Sequence, residues 1–165
     1  MSEKLIRLLI SYRIAISHAF GDYHFTCPSM LFVQLMAEKR PEGHYYAYHL
    51  DKQSALPTFG CRKWMGVCHA QELLYVFGVS QQLNGIVIDD DEYNFSVQII
   101  KTWSSFAHSG NPGYIDKNVS WTPAIDTKEK DLSVSLMNLN PRDYRMLPHF
   151  FKDICNKFWQ SKLEQ

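Results

Sequence analysis

The residues best suited to acid–base chemistry lie in one short apolar stretch, between Trp64 and Gly78. Within it, His69 precedes a run of apolar residues typical of a short helix that stops at Gly78. An imidazole where a loop becomes a helix can take a proton from a nucleophile at neutral pH, provided that an acid orients its other nitrogen. His69 is therefore the candidate general base. The commoner interpretation, a solvated or core histidine, is kept for the other six.

The sequence offers His69 no clear nucleophile or metal partner. No G-x-S-x-G motif occurs, and the nearest string, GVSQQ at 78–82, lacks the second glycine. Cys68 adjoins His69, but adjacent residues seldom bring their reactive atoms together, and nothing nearby stabilises a thiolate. A zinc site of Cys61, Cys68 and His69 lacks an evident fourth ligand. We therefore expect neither a metal nor a cofactor.

Hydrophobic periodicity and start and stop residues predict five helices around this stretch. The first helix is predicted to start at Ser2 and stop before Gly21, the second to lie between Pro28 and Pro41, and the third between His69 and Gly78. The fourth lies between Asp89 and Gly110, and the last starts at Pro148. In the second helix we expect Leu31, Leu35 and Met36 to face inward. In the fourth we expect one apolar face, made of Tyr93, Val97, Ile100, Trp103 and Ala107.

Two segments have the composition of β-strands. The aromatic segment 44–50 predicts a strand covered on both faces, whereas the alternation of apolar and polar residues over 131–139 predicts a half-buried strand. Two strands leave edges that a stable domain normally pairs or covers. The sequence thus predicts a mixed α/β fragment whose remaining strands lie elsewhere.

Composition excludes several classes of function. Seventeen basic residues balance seventeen acidic ones, so no net field attracts a nucleic acid. No apolar run is long enough for a transmembrane segment, and no signal peptide is evident. Sequons at Asn94 and Asn118, with an even set of four cysteines, favour an oxidising compartment and predict a glycoprotein.

Three ordered blocks resemble the type-B carboxylesterase and cholinesterase family. The block at 64–78 carries W-x-G-x-x-H, then a glutamate and V-F-G. GDYHFTCP at 21–28 resembles the family segment before it, and WSSFAHSGNP at 103–112 resembles W-x-x-F-A-x-x-G-x-P. The resemblance covers about 21–159 and implies that residues 1–165 are the C-terminal portion of an α/β-hydrolase fold, an incomplete sheet flanked by helices.

The resemblance also implies roles for individual residues. His69 matches the catalytic histidine, while the serine, the acid and the oxyanion loop belong to upstream parts of the family pattern that this chain does not contain. Glu72 matches a buried glutamate that supports the loop by hydrogen bonding, and Met65 is retained near the site. Cys27 and Cys155 match a disulfide pair.

The sequence departs from the cholinesterase pattern around His69. Cys61 and Gln71 stand where cholinesterases have aromatic residues that surround a quaternary ammonium, and Ala70 replaces a glycine. A carboxylesterase with broader ester specificity is therefore favoured over a choline esterase. Cys61 and Cys68 either pair with each other, clamping the loop, or both stay free.

We therefore expect the C-terminal segment of a secreted or membrane-associated serine esterase that acts on small carboxylic esters and is inactive on its own. The alternatives are a non-catalytic, cholinesterase-like adhesion module and a truncated gene product. The apolar residues Phe151, Ile154 and Phe158 would permit a homodimer through the terminal helices, although packing within the chain explains them equally well.

Overall fold

The computed structural model describes residues 3–56, 60–79, 90–126, 128 and 132–159. The predicted cap at Ser2, the helix start at Asp89 and most of the GVSQQ string lie outside these residues. The chain divides into two compact units. One comprises Met1–Tyr45, Ile125–Val134 and Pro148–Gln165, and the other Tyr46–Ala124 and Ser135–Leu147.

The first unit is mainly helical. Helix α1 (Glu3–Gly21) continues through a π-helical segment (Asp22–Thr26) into α2 (Cys27–Lys39). The predicted stop before Gly21 is wrong, because Gly21 keeps right-handed helical angles, with φ −62° and ψ −45°. Pro28 does lie in the first turn of α2.

A disulfide joins α2 to a second π-helical segment, Asp153–Trp159. It links Cys27 to Cys155, and both residues are almost fully buried. The other buried residues of α2 are Met30 and Ala37, whereas Leu35, predicted to face inward, is 54% exposed. The inward face of α2 is therefore set by the disulfide and by small or flexible side chains beside it.

The second unit contains a three-stranded mixed sheet. The strands are β1 (Tyr48–Leu50), β4 (Leu136–Leu139) and β5 (Arg145–Leu147), in the order β1-β4-β5. β4 pairs parallel with β1 and antiparallel with β5. All four β4 residues are buried, so the predicted half-buried strand is wrong. A central strand loses its solvent face when both sides of the sheet are covered.

Two helices and a hairpin complete this unit. They are α3 (Glu72–Val76), α4 (Asp90–Ser109) and the antiparallel strands β2 (Tyr114–Asp116) and β3 (Val119–Ser120). The predicted stops after α3 and α4 are confirmed, since Gly78 and Gly110 have φ of +62° and +72°, a left-handed conformation that favours glycine.

The core of the second unit gathers side chains from both helices, the hairpin and the sheet. Its buried members are Tyr75, Phe95, Ile99, Ile115, Trp121, Met137 and Leu139. The face of α4 that is buried carries Glu92, Phe95, Ser96, Ile99 and Thr102. The predicted face is wrong at Tyr93 and Ala107, which are exposed, whereas Trp103 is half-buried and packs against the core. No helix in the described part of the chain is long and apolar enough to span a bilayer.

Candidate functional site

His69 lies in the turn that leads into α3, and its side chain is exposed. The turn is closed by the backbone N–H of Gln71, which donates to the carbonyl oxygen of Cys68 at 3.3 Å. Ala70 takes a positive φ of +67°. A residue with a Cβ is unfavourable in this conformation, which explains why glycine suits the position.

The loop before His69 is held at several points. A disulfide joins Cys61 to Cys68, on either side of a 3₁₀ turn at Lys63–Met65. From the loop that follows β1, the Gln53 side-chain amide donates to the carbonyl oxygens of Lys63 at 3.1 Å and Gly66 at 2.6 Å. The backbone that carries His69 is therefore fixed by a covalent bond and by hydrogen bonds.

The buried side chain of Gln71 also stabilises the loop before His69. It is only 2% exposed. Its Oε1 accepts from the backbone N–H of Cys68 at 3.3 Å, and its Nε2 donates to Sγ of Cys61 at 3.4 Å. Because both sulfurs are in the disulfide, Cys68 has no thiolate for nucleophilic attack and the zinc site weighed above has lost two ligands. The described residues also form no cluster of three or more metal-ligating side chains.

Glu72 and Met65 lie close to the His69 turn in sequence. Glu72 begins α3 and is half-buried rather than buried. Burial, followed by the charge of Glu72, raises the pKa of Tyr48 to about 12, so the phenol stays protonated at neutral pH. Met65 is 40% exposed, and its Sδ accepts from the backbone N–H of Arg62 at 3.4 Å.

The segment that contains His69 exposes several apolar side chains. Five side chains in this segment are at least 36% exposed, namely Trp64, Met65, Val67, Leu73 and Phe77. Apolar surface of this kind usually marks a place where a ligand or another protein segment packs. The exposed imidazole therefore lies on a surface suited to further contacts.

A buried carboxylate that sequence reasoning missed lies under the loop after β1. Glu92 is fully buried, and Lys52 Nζ lies 2.6 Å from its Oε2. Its Oε1 accepts from Ser54 Oγ at 2.5 Å and from the backbone N–H of Ala55 at 3.1 Å. In the sequence Glu92 was one acid among four at a helix start, although its spacing from Phe95 and Ile99 could have placed it on the buried face.

The remaining predicted site residues lie away from this turn in sequence. Asn94 is exposed on α4, and Asn118 is exposed in the turn between β2 and β3. The Cys27–Cys155 disulfide belongs to the helical unit. The asparagines of both sequons are thus exposed, although Ser96 of the first sequon is buried.

Comparison with known proteins places these features in a family. A carboxylesterase family model matches residues 8–151. The chain is 32% identical to a cholinesterase from Mus musculus over 127 residues, which are 75% of this chain and 20% of that protein. It is 32% identical to an acetylcholinesterase from Gallus gallus over 150 residues, 91% of this chain and 18% of that protein. It is 28% identical to acetylcholinesterase 1 from Caenorhabditis elegans over 125 residues, which are 76% of this chain and 19% of that protein.

The chain thus spans about a fifth of the length of these curated relatives. The family implies an α/β-hydrolase fold, and the described helices and small mixed sheet are consistent with part of such a domain. The predicted resemblance to carboxylesterases and cholinesterases is confirmed. Since the family match runs through the His69 turn and across the sheet, the chain belongs to the carboxylesterase family.

Proposed function

We propose that these residues are the C-terminal portion of a serine carboxylesterase and that His69 is its general base. The observation that carries the proposal is the contrast between backbone and side chain at this turn. The backbone is fixed by the Cys61–Cys68 disulfide and the buried Gln71, while the imidazole is exposed. A fixed backbone with an exposed imidazole allows His69 to act as a general base on catalytic groups that lie outside the 165 residues.

In this mechanism His69 moves one proton twice. It takes the proton of a serine hydroxyl as the oxygen attacks the ester carbonyl, and it returns a proton to the alcohol that leaves. A carboxylate from another part of the polypeptide would hold the second ring nitrogen, and backbone N–H groups would stabilise the oxyanion. The rigid turn contributes orientation, because misplacement by about 1 Å can cost on the order of a hundredfold in rate.

The residues at two positions near His69 support a broad carboxylic ester substrate rather than a choline ester. A buried amide, Gln71, and a disulfide sulfur, Cys61, occupy positions where cholinesterases have aromatic rings. Neither offers the ring face that attracts a quaternary ammonium. Exposed apolar side chains such as Trp64 and Phe77 suit an uncharged acyl or alcohol group instead.

The proposal predicts opposite behaviour for two polypeptides. The 165 residues alone should neither hydrolyse a nitrophenyl ester nor react covalently with a fluorophosphonate, because they contain no G-x-S-x-G serine. The longest product of the same transcript should do both. Gel fluorescence after labelling and nitrophenol release measure the two activities, with acetylthiocholine as the choline-ester comparison.

Two results would contradict the proposal. Labelling of the 165-residue chain would mean that it contains its own nucleophile. A folded longer product that is not labelled would instead support the alternative, a cholinesterase-like adhesion module that lacks the serine. A transcript that encodes nothing beyond these residues would favour a truncated gene product.

We further propose that the full-length protein is extracellular or membrane-associated and glycosylated. Its two disulfides support an oxidising, extracellular environment. The exposure of Asn94 and Asn118 supports glycosylation. Enzymatic deglycosylation of the secreted product should increase its mobility on a gel. Unchanged mobility would count against modification at both sites.

A homodimer through the terminal helices is also proposed. It is supported by apolar side chains on α1 that are at least 45% exposed, including Leu5, Leu9 and Ile16, and by Ile154 at 41%. Sedimentation equilibrium of the longer product should give twice the monomer mass. A monomer mass at micromolar concentration would contradict the proposal.

A further inference from the structure

The two Asn-x-Ser sequons have different surroundings in the second unit. Asn94 lies on the exposed side of α4, whereas Asn118 lies in the turn between β2 and β3. An oligosaccharyltransferase must reach both the asparagine amide and the hydroxyl two residues later, because the two groups together define the acceptor. Whether a folded sequon can be modified therefore depends on its serine as much as on its asparagine.

The fold separates the two ends of the first sequon. In an α-helix, side chains two positions apart point about 200° away from each other. Asn94 accordingly faces solvent, while Ser96 is fully buried and its Oγ donates to the carbonyl oxygen of Tyr75 at 3.0 Å. An enzyme cannot contact the amide and the hydroxyl of this sequon together unless α4 unwinds.

Unwinding this part of α4 would disrupt the core of the second unit. Phe95, the middle residue of the sequon, is 1% exposed and packs edge-on against Tyr75, with 4.6 Å between the ring centroids. Glu92 and Ile99 are buried on the same face of the helix, and the carboxylate of Glu92 is paired with Lys52. Exposing Ser96 therefore requires the opening of much of this unit rather than a local fluctuation.

The second sequon has both of its ends at the surface. Asn118 and Ser120 are exposed, and Val119 between them is half-buried. Strand β3 has only two residues, and along extended backbone the side chains two positions apart project to the same side. A hairpin of such short strands also opens more easily than a core helix. Both groups of this sequon should therefore be accessible while the unit stays folded.

We propose that Asn118 is the glycan acceptor that remains available in the folded domain, and that Asn94 accepts a glycan only before α4 packs onto α3. In each transfer, Nδ2 of the asparagine forms a bond to C1 of the first sugar. The bond from C1 to the diphosphate oxygen of the lipid donor breaks, and the amide releases one proton.

The proposal makes occupancy of Asn94 depend on the rate of folding, whereas occupancy of Asn118 does not. Because the Asn94 side chain is exposed, a glycan added early stays at the surface of the folded unit. The inference rests on the extracellular location and glycosylation proposed above, since only chains that follow that route meet the transferase.

Glycosylation in vitro of one polypeptide in two states tests the proposal. The longest product of the transcript is purified without glycans and incubated with an oligosaccharyltransferase and a lipid-diphosphate oligosaccharide. It is used either folded or unfolded by reduction and carboxamidomethylation of its cysteines. Mass spectrometry of proteolytic peptides then gives the rate of modification at Asn94 and at Asn118. On unfolding, the rate at Asn94 should rise by at least about tenfold, and the rate at Asn118 should change by less than about threefold.

Three variants check that the signal comes from the sequons. Ser120→Ala should abolish modification of Asn118 in both states, and Ser120→Thr, which keeps the hydroxyl, should retain it. Ser120 is exposed, so neither substitution disturbs the core. Asn94→Gln should leave the rate at Asn118 unchanged in both states.

Three results would overturn the proposal. A rate at Asn94 that is the same in the two states would show that the buried Ser96 does not limit access. A folded protein without modification at Asn118 would show that the hairpin is not an acceptor. An unfolded protein without modification at Asn94 would show that local sequence, not the fold, excludes this site. The measurement involves neither esterase activity nor secretion, so its failure is distinct from failure of the proposed function.

Discussion

At the scale of single residues, Glu92 is a buried charged side chain whose carboxylate needs hydrogen-bond donors within the fold. The carboxylate is fully buried and receives hydrogen bonds from Lys52, Ser54 and the backbone of Ala55. A buried charge is tolerated only when it is paired and hydrogen-bonded. Glu92 therefore fixes the loop after β1 against α4.

We predict that Glu92→Gln lowers the free energy of unfolding by about 2–3 kcal/mol, because the amide cannot neutralise Lys52 and turns a donor towards it. In a chain of this size the melting temperature should fall by roughly 5–10 °C. The matched control is Asp153→Asn, which removes an exposed ion pair with Lys157. Equal losses in the two variants, measured by denaturant titration, would contradict this role for Glu92.

A second prediction concerns the backbone next to His69. Ala70→Gly should raise the free energy of unfolding by about 0.5–1 kcal/mol, because glycine removes the steric cost of a positive φ. The same substitution at Ala107, exposed on α4, should lower it by about 1 kcal/mol, because glycine is a poor helix former. If both variants were destabilised, the turn at Ala70 would not be strained.

At the scale of elements, sequence reasoning located segments better than it located their faces. The stops at Gly78 and Gly110 were predictable because a positive φ favours glycine. The buried face of α4 was not, since Glu92, Ser96 and Thr102 interrupt its apolar pattern. Ser96 is buried because it donates to the carbonyl oxygen of Tyr75 at 3.0 Å, a partner on another element.

Strands were harder to predict for a similar reason. β1 has three residues and β2 and β3 only three and two, too few to establish a period of two. The turn of the candidate site was found through His69 and its flanking motif. Its supports, Gln53 and Gln71, were not, because Gln53 donates to backbone carbonyl oxygens and Gln71 binds a backbone N–H and a disulfide sulfur, which no side-chain pattern reveals.

The disulfides give a prediction at this scale. They join residues 128 and 7 positions apart. In the chain-entropy model, removing the pair Cys27 and Cys155 should cost about 5 kcal/mol, and removing Cys61 and Cys68 about 2.5 kcal/mol. Double alanine variants and urea unfolding measure both losses. A larger loss for the short loop would show that the disulfide at the His69 turn stabilises more than loop closure explains.

At the scale of the whole molecule, the described residues form part of a carboxylesterase-family domain. β1 lies at an edge of the three-stranded sheet as far as the described residues extend. An exposed sheet edge is normally paired or covered. If further polypeptide completes the domain, as proposed, this edge and the exposed apolar side chains near His69 should be covered in the longer product.

The most direct test of His69 as the general base uses the longest product of the transcript with His69→Gln. We predict that kcat for nitrophenyl acetate falls by at least about a thousandfold, since the serine would lose its proton acceptor. His108→Gln, at an exposed histidine of α4, is the control and should keep full activity. A His69→Gln enzyme that retains kcat within about twofold of the wild type would contradict the account.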